Sequence, residues 1–118
     1  MAQTFTVLFV DDDDLVRAPV AELLRRHGLR VITAKSAVEA MRILAQEQVD
    51  ILFTDIFMPD GDGIELAKQA QQLRPGIRVM FATAYFPRAA DAAQLGKVLF
   101  KPMRAQQIEA AIDEVLRS

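Results

Sequence analysis

The sequence contains no cysteine and no tryptophan, and it has a single histidine, His27. These absences exclude a disulfide framework, zinc sites made of thiolates and metal centres that need two histidines. Any metal that this chain binds by itself must therefore be held by oxygen ligands. The chain also lacks a run of about 20 apolar residues and a signal-peptide pattern, so we expect a cytoplasmic protein that makes no membrane contact.

A large charge imbalance is missing as well. The 14 Lys and Arg residues nearly balance the 16 Asp and Glu residues, and the formal net charge is −2. No overall field therefore draws the chain to nucleic acid, and we expect no direct nucleic-acid partner. A length of 118 residues with 52% hydrophobic content is typical of one small globular domain, so we expect residues 1–118 to form a single domain.

Short β-branched and aromatic runs alternate with longer stretches that have the apolar period of helices. The predicted strands cover residues 5–10, 29–34, 49–54, 77–82 and 98–100. The predicted helices cover residues 15–27, 36–46, a stretch from 62 that stops at Pro75, 87–95, and the end of the chain. The fourth helix has little apolar surface, and we expect it to be short or mobile. This alternation predicts a (βα)5 fold, with a five-stranded parallel sheet and helices on both faces.

Local signals mark several helix ends. Aspartates occupy positions 11–14 directly after the first predicted strand, and we interpret Asp13 and Asp14 as caps of the helix that follows. Ser36 and Glu39 have the spacing of a capping box, in which each side chain bonds the backbone N–H of the other residue. His27 is expected to face solvent at the end of the first helix.

The predicted strands end in residues that suit phosphoryl chemistry. Asp11 and Asp12 follow the first strand, and Asp55, Thr83 and Lys101 follow the third, fourth and fifth. In open parallel sheets, ligands bind beyond these strand ends. Three carboxylates in one cleft repel each other unless a cation is present, and Mg²⁺, or Mn²⁺ in its place, prefers such oxygen ligands. A carboxylate is also a competent nucleophile toward phosphorus, so this edge predicts metal-dependent phosphoryl transfer.

Five strings of sequence fall, in order, on these strand ends and helix starts. They are VDDDDLVR at 10–17, DILFTDIFMP at 50–59, DGIEL at 62–66, FATAY at 81–85 and KP at 101–102. Together they resemble the receiver domains of two-component response regulators over nearly the whole chain. The resemblance implies the flavodoxin-like doubly wound sheet with strand order 2-1-3-4-5.

The resemblance also implies roles for single residues. Asp55 would accept a phosphoryl group from a phosphohistidine of a histidine kinase or a histidine phosphotransfer protein. Asp12, Asp55 and the backbone carbonyl of Phe57 would bind Mg²⁺ directly, and Asp11 would act through water. The chain would then be a monomeric or weakly dimeric signalling switch rather than an enzyme, although it would catalyse its own phosphorylation and dephosphorylation.

The resemblance implies two further roles, for the residues at the ends of the last two predicted strands. Thr83 would be the switch hydroxyl, and Lys101 would be the cation that pairs with the phosphate. In the family the bond between this lysine and the next proline is usually cis, so Lys101-Pro102 is a predicted cis peptide.

The chain departs from the common family pattern in two ways. Val98 stands three residues before the lysine, where the family usually has the Tyr or Phe that turns inward on activation. The stretch from Thr83 to Lys101 is also a few residues short, and the missing length falls on the fourth helix. In both respects the chain is similar to an atypical group of receivers, and we expect activation to order residues 87–96 instead.

Two bulky residues are expected to control the lifetime of the phosphorylated state. Phe57 and Tyr85 lie two residues beyond Asp55 and Thr83, and in that position they flank the path of an attacking water molecule. Their size predicts shielding and slow hydrolysis of the aspartyl phosphate.

Two other functions stay open at this point. A haloacid-dehalogenase-type phosphatase would use Asp11 as its nucleophile, because Asp11 and Asp13 approximate its motif, although Leu15 stands where that family needs Thr or Val. A receiver-like interaction module would have the same fold but would never be phosphorylated. Substitution of Asp11 or Asp55, followed by a search for covalent phosphate, separates these hypotheses.

Overall fold

A computed structural model describes residues 3–117 of the chain. The strands are β1 (Thr6–Val10), β2 (Arg30–Ala34), β3 (Ile51–Asp55), β4 (Phe57–Met58), β5 (Gly61–Asp62), β6 (Arg78–Thr83) and β7 (Lys97–Phe100). The helices are α1 (Asp14–Arg26), α2 (Ala37–Gln46), α3 (Gly63–Leu73), α4 (Ala89–Ala93) and α5 (Ala105–Arg117), and a 3-10 turn at Phe86–Arg88 precedes α4.

Five strands form one parallel sheet in the order β2-β1-β3-β6-β7. This order is the predicted 2-1-3-4-5 arrangement, and the doubly wound (βα)5 fold is confirmed. The two-residue strands β4 and β5 pair as a small antiparallel hairpin, which the sequence did not predict. Their residues are too few to produce a periodic pattern.

Each face of the sheet carries its own apolar layer. One layer joins the strands to α2, α3 and α4, and it includes Leu8, Leu52 and Phe81. The other joins them to α1 and α5, and it includes Phe9 and Phe53. Neighbouring residues of one strand enter opposite layers, and the central strands β1 and β3 are therefore buried throughout.

The fourth helix is short, as predicted. Only Ala89–Ala93 is α-helical, and Ala92 is its one buried residue. Among residues 3–117, no helix combines the length and the apolar character that crossing a membrane requires.

The capping expectations are mostly correct. Asp13 is the N-cap of α1 and accepts a hydrogen bond from the N–H of Leu15 at 2.9 Å. Ser36 accepts from the N–H of Glu39 at 3.1 Å, as the capping box requires. The reciprocal bond is different, because the Glu39 carboxylate accepts from the N–H of Lys35 at 3.3 Å instead.

His27 lies at the end of α1, as predicted, but its side chain is only partly exposed because it pairs with acids of a second helix. Its Nε2 lies 2.8 Å from Oδ1 of Asp113, and its Nδ1 lies 3.8 Å from Oε2 of Glu109. Both acidic residues belong to α5, which packs beside α1 on the same face of the sheet. The pairing depends on that packing, and neither helix carries a local sign of it.

Candidate functional site

The residues predicted at the strand ends meet at one edge of the sheet. Asp11 follows β1, Asp55 ends β3, and Lys101 follows β7. The Lys101 ammonium donates to Oδ2 of Asp11 at 2.6 Å and to Oδ2 of Asp55 at 2.8 Å. Parallel pairing of β1 with β3, and of β3 with β6, aligns these strand ends and brings together residues up to 90 positions apart.

Three carboxylates form a group that suits a hard divalent cation. One oxygen each from Asp11, Asp12 and Asp55 lies within 4.8 Å of the others. Asp11 is fully buried and Asp55 is nearly so, whereas Asp12 is exposed at the mouth of the group. An all-oxygen donor set with one open side matches the preference of Mg²⁺, which keeps several water ligands when it binds to proteins.

Burial and charge act in opposite directions on the pKa values of the site. Burial raises the pKa of Asp55 above its ordinary value, and the hydrogen bond and charge of Lys101 offset only part of that effect. Burial lowers the pKa of Lys101, but its hydrogen bonds to Asp11 and Asp55 outweigh this, and the net change is upward. Lys101 is therefore an ammonium at neutral pH, and it supplies a fixed positive charge beside two acids.

Thr83 ends β6 and is fully buried, and its hydroxyl is already engaged as an acceptor. The N–H of Tyr85 donates to Thr83 Oγ1 at 2.9 Å. The backbone N–H of Lys101 donates to the Thr83 carbonyl, also at 2.9 Å. The hydroxyl proton of Thr83 therefore remains available for a phosphoryl oxygen.

Asp55 and Thr83 line an open pocket together with Phe57, Ala84 and Tyr85. The rings of Phe57 and Tyr85 meet edge to face, with centroids 4.6 Å apart. Their contact forms one wall of the opening to Asp55. The backbone N–H of Phe57 donates to Oδ1 of Asp55 at 3.3 Å, and this bond helps to orient the carboxylate.

The predicted cis peptide lies at the site, whereas two of the four consecutive aspartates belong to the first helix. The Lys101-Pro102 peptide bond is cis. Asp13 caps α1, and Asp14 pairs with Arg17 on the surface of that helix, so neither belongs to the carboxylate group.

Two contacts that support the site were not predicted from the sequence. Arg17 donates to the backbone carbonyl of Asp11 at 2.8 Å and thereby holds the loop after β1. Arg88, in the 3-10 turn before α4, pairs with Asp62 at the start of α3. Arg17 lies six residues after Asp11, so their contact is local and could have been inferred from the sequence. Arg88 and Asp62 are 26 residues apart, and no local pattern predicts their pairing.

Comparison with known proteins agrees with this geometry. The sequence model of the family described as "Response regulator receiver domain" matches residues 7–113. The chain is 32% identical over 114 residues to the response regulator receiver protein CpdR of Brucella abortus, and the match covers 93% of this chain and 95% of that protein. It is 35% identical to the transcriptional regulatory protein GlrR of Escherichia coli over 93% of this chain, but it spans only 26% of that protein.

Solved structures show the same fold. A receiver domain protein from Methanospirillum hungatei superposes with a TM-score of 0.90 at 27% identity, covering 98% of this chain and 95% of that one. The response regulator TrrA of Thermotoga maritima, solved in complex with Mg²⁺ and BeF, superposes with a TM-score of 0.87 at 22% identity, covering 95% and 99%.

The family match and the similar proteins support a phosphoacceptor rather than a phosphatase or an interaction module that is never phosphorylated. Asp11 is fully buried beneath Lys101, which leaves it poorly placed for the attack that a phosphatase would require of it. The chain belongs to the response regulator receiver family, whose members are the phosphoacceptor signalling switches of two-component systems.

Proposed function

We propose that Asp55 is the residue that accepts the phosphoryl group. The observation that carries this assignment is its dual position: Asp55 is bonded to Lys101 and also lines the open pocket that contains Thr83. Asp11 is buried behind it, and Asp12 does not line that pocket. Of the three acids, Asp55 is the one that both an incoming phosphorus atom and the fixed cation reach.

The donor in this proposal is a phosphohistidine of a histidine kinase or a histidine phosphotransfer protein. An oxygen of Asp55 forms the new O–P bond while the P–N bond to the imidazole breaks. The electron pair of that bond stays on the ring nitrogen, and neutral imidazole leaves when the other ring nitrogen is protonated. Such a transfer needs positioning and charge stabilisation more than acid or base catalysis, which fits a site without histidine.

The surrounding residues supply that stabilisation. The Lys101 ammonium pairs with one phosphoryl oxygen, and the Thr83 hydroxyl donates a hydrogen bond to another. Asp12 and Asp55, with the backbone carbonyl of Phe57, would hold Mg²⁺ directly, and Asp11 would hold it through water. When bound, the ion neutralises charge on the phosphoryl oxygens.

The same proposal covers the extent of the domain, its oligomeric state, its location and its output. Residues 1–118 act as one receiver domain, as a monomer or weak dimer, and the chain works as a switch rather than as an enzyme with a separate substrate. The absence of cysteine suits a cytoplasmic location. Because Val98 replaces the usual aromatic residue, the output runs through Thr83 and the short α4 segment.

Labelling by a small phosphodonor tests the assignment. The chain is incubated with acetyl phosphate and Mg²⁺, and intact-mass and peptide mass spectrometry locate the added group. Wild type and Asp14→Asn, an exposed acid on α1, should both take up one phosphoryl group. Asp55→Asn should take up none, and label that persists in Asp55→Asn but disappears in Asp11→Asn would support the phosphatase hypothesis instead.

A further inference from the structure

Four exposed aromatic rings lie at or near the opening to Asp55, two of them in its lining, and we propose that they form the docking surface for the protein phosphodonor. The rings belong to Phe57, Tyr85, Phe86 and Phe100, and we call them the aromatic rim. The proposal rests on the function proposed above and specifies its partner. That partner is a protein whose phosphorylated imidazole is flanked by apolar side chains.

The rim consists of two ring pairs that adjoin in the chain. The Phe57 and Tyr85 rings are in edge-to-face contact at 4.6 Å, and Phe86 follows Tyr85 in the chain. The Phe86 and Phe100 rings stack with centroids 4.8 Å apart. Phe100 pairs with Thr83 across β6 and β7, so the second ring pair lies on the strand next to the one that carries the Thr83 hydroxyl.

The rim exposes a large part of each of its four rings to water. The exposed fractions are 56% for Phe57, 43% for Tyr85, 69% for Phe86 and 42% for Phe100. Together the rings expose on the order of 400 Å² of largely apolar surface, which is the size of the largest apolar patch on a typical monomer, and such patches are often functional. Aromatic side chains also dominate the energetics of protein interfaces.

The cation that lies closest to Phe86 in the chain is already paired. Arg88 follows closely after Phe86, but its guanidinium is bonded to Asp62 and lies 3.9 Å from Oδ2 of Asp91. A partner therefore meets an apolar surface with a neutralised cation at its border. Apolar groups, rather than acidic ones, complement such a surface.

The geometry of transfer distinguishes a donor from a downstream target. The attacking oxygen of Asp55 must lie about 3–3.5 Å from the phosphorus, with the imidazole nitrogen in line behind it. A donor protein must therefore cover the mouth of the pocket between Phe57 and Tyr85. A typical interface buries roughly 800 Å² on each partner. Asp55 pairs with Ala82 across β3 and β6, and Thr83 pairs with Phe100 across β6 and β7, so Phe100 and the ring stacked on it are within reach of such a patch. A target that reads the phosphorylated state has no such requirement.

The test compares two phosphodonors on the whole chain with Mg²⁺. Phosphoimidazole carries the reactive group without a docking surface, and a helical peptide carries one phosphohistidine with leucines three and four residues to either side. The variants are Phe86→Ser, Phe100→Ser and their combination, which spare both the pocket wall and the acids. Leu73→Ser is the matched control, because Leu73 is 45% exposed at the end of α3.

We expect the peptide to phosphorylate wild type faster than phosphoimidazole does. The double variant should lose about tenfold in the second-order rate constant for the peptide and stay within about twofold for phosphoimidazole, whereas Leu73→Ser should change neither rate. Melting temperatures verify that each variant is folded.

Three results would overturn the inference and leave the proposed function intact. They are a peptide rate that the double variant does not change, an equal loss with both donors, and a wild-type peptide rate no higher than that of phosphoimidazole. Sedimentation that shows a dimer dissociated by the double variant, with peptide transfer unchanged, would assign the rim to a second copy of the chain. Failure of phosphoimidazole and acetyl phosphate to label wild type would instead refute the proposed function, and the docking surface with it.

Discussion

The ammonium of Lys101 donates a 2.8 Å hydrogen bond to Asp55, although 46 residues separate the two. The same ammonium bonds the fully buried carboxylate of Asp11 at 2.6 Å. Lys101 therefore compensates two acids that repel each other, and it stabilises the fold as well as serving the site.

Lys101→Met should destabilise the protein by about 3 kcal/mol, because it leaves the buried Asp11 carboxylate without its cation. Urea unfolding monitored by circular dichroism measures the change. Lys97→Met is the matched control: Lys97 begins β7, the strand that Lys101 follows, but it forms an exposed pair with Glu114, so its loss should cost under about 1 kcal/mol. Equal losses in the two variants would contradict this role of Lys101.

Mg²⁺ should stabilise the wild-type fold through its three acids. At tenfold over its Kd, a ligand that binds only the folded state adds about 1.4 kcal/mol. Thermal melting with and without millimolar MgCl₂ measures the shift, and Asp12→Asn should reduce it strongly because Asp12 is the exposed member of the group. A melting temperature that Mg²⁺ does not move would count against the metal site.

Removal of the pocket wall should shorten the life of the phosphorylated state. Phe57→Ala and Tyr85→Ala should each speed hydrolysis of phosphorylated Asp55 about threefold or more, which corresponds to roughly 0.7 kcal/mol of barrier. Decay of the label after removal of acetyl phosphate gives the rate. Phe86→Ala is the control, since Phe86 stacks on Phe100 and does not line the pocket. Unchanged decay in both wall variants would rule out shielding.

The α4 segment should become more ordered when the site is filled. Residues 86–96 contain a 3-10 turn and a helix of five residues, and their attachments include Ala92 in the core and the Arg88–Asp62 pair. Amide exchange in this segment should slow on addition of Mg²⁺ and beryllofluoride, and exchange in α2 should not change. Arg88→Gln should exchange faster in both states. Unaltered exchange in residues 86–96, alongside proven binding at Asp55, would refute the ordering mechanism.

Asp60 should contribute a pH-dependent part of the stability. Its carboxylate accepts the N–H groups of Ala37 and Val38 at 3.0 Å each, and these bonds lower the pKa of Asp60 below its ordinary value of 3.8. A lowered pKa means that the contribution is present above pH 3.8 and is lost as the pH falls through the folded-state value.

Asp60→Ala should therefore cost about 1 kcal/mol near neutral pH, as the loss of a helix cap does. The difference in unfolding free energy from wild type should shrink in acid below about pH 4. Asp91→Ala is a control, because Asp91 is exposed and its ion pair with Arg88 is long, at 3.9 Å. A difference that persists unchanged in acid would contradict the capping role of the charge.

Much of the fold was predictable because its signals are local. Buried parallel strands are apolar on both faces, and this made the runs in β1 and β3 recognisable with errors of one or two residues at their ends. The short α4 followed from its lack of apolar residues. The hairpin of β4 and β5 was missed because two-residue strands have no period to detect.

The placement of Asp11, Asp12, Asp55, Thr83 and Lys101 at one edge was also predictable, since parallel strands bring their carboxyl ends together. The sequence by itself thus determined the alternation of strands and helices and the chemical inventory of the site, whereas the strand order was implied by the resemblance to receiver domains. Only the tertiary structure decided how far each acid is buried, that Asp60 caps α2, that His27 pairs with Asp113, and that Phe57 contacts Tyr85 while Phe86 stacks on Phe100. These relations join residues from different elements, and they depend on how helices and loops pack, which no local pattern of residue types encodes.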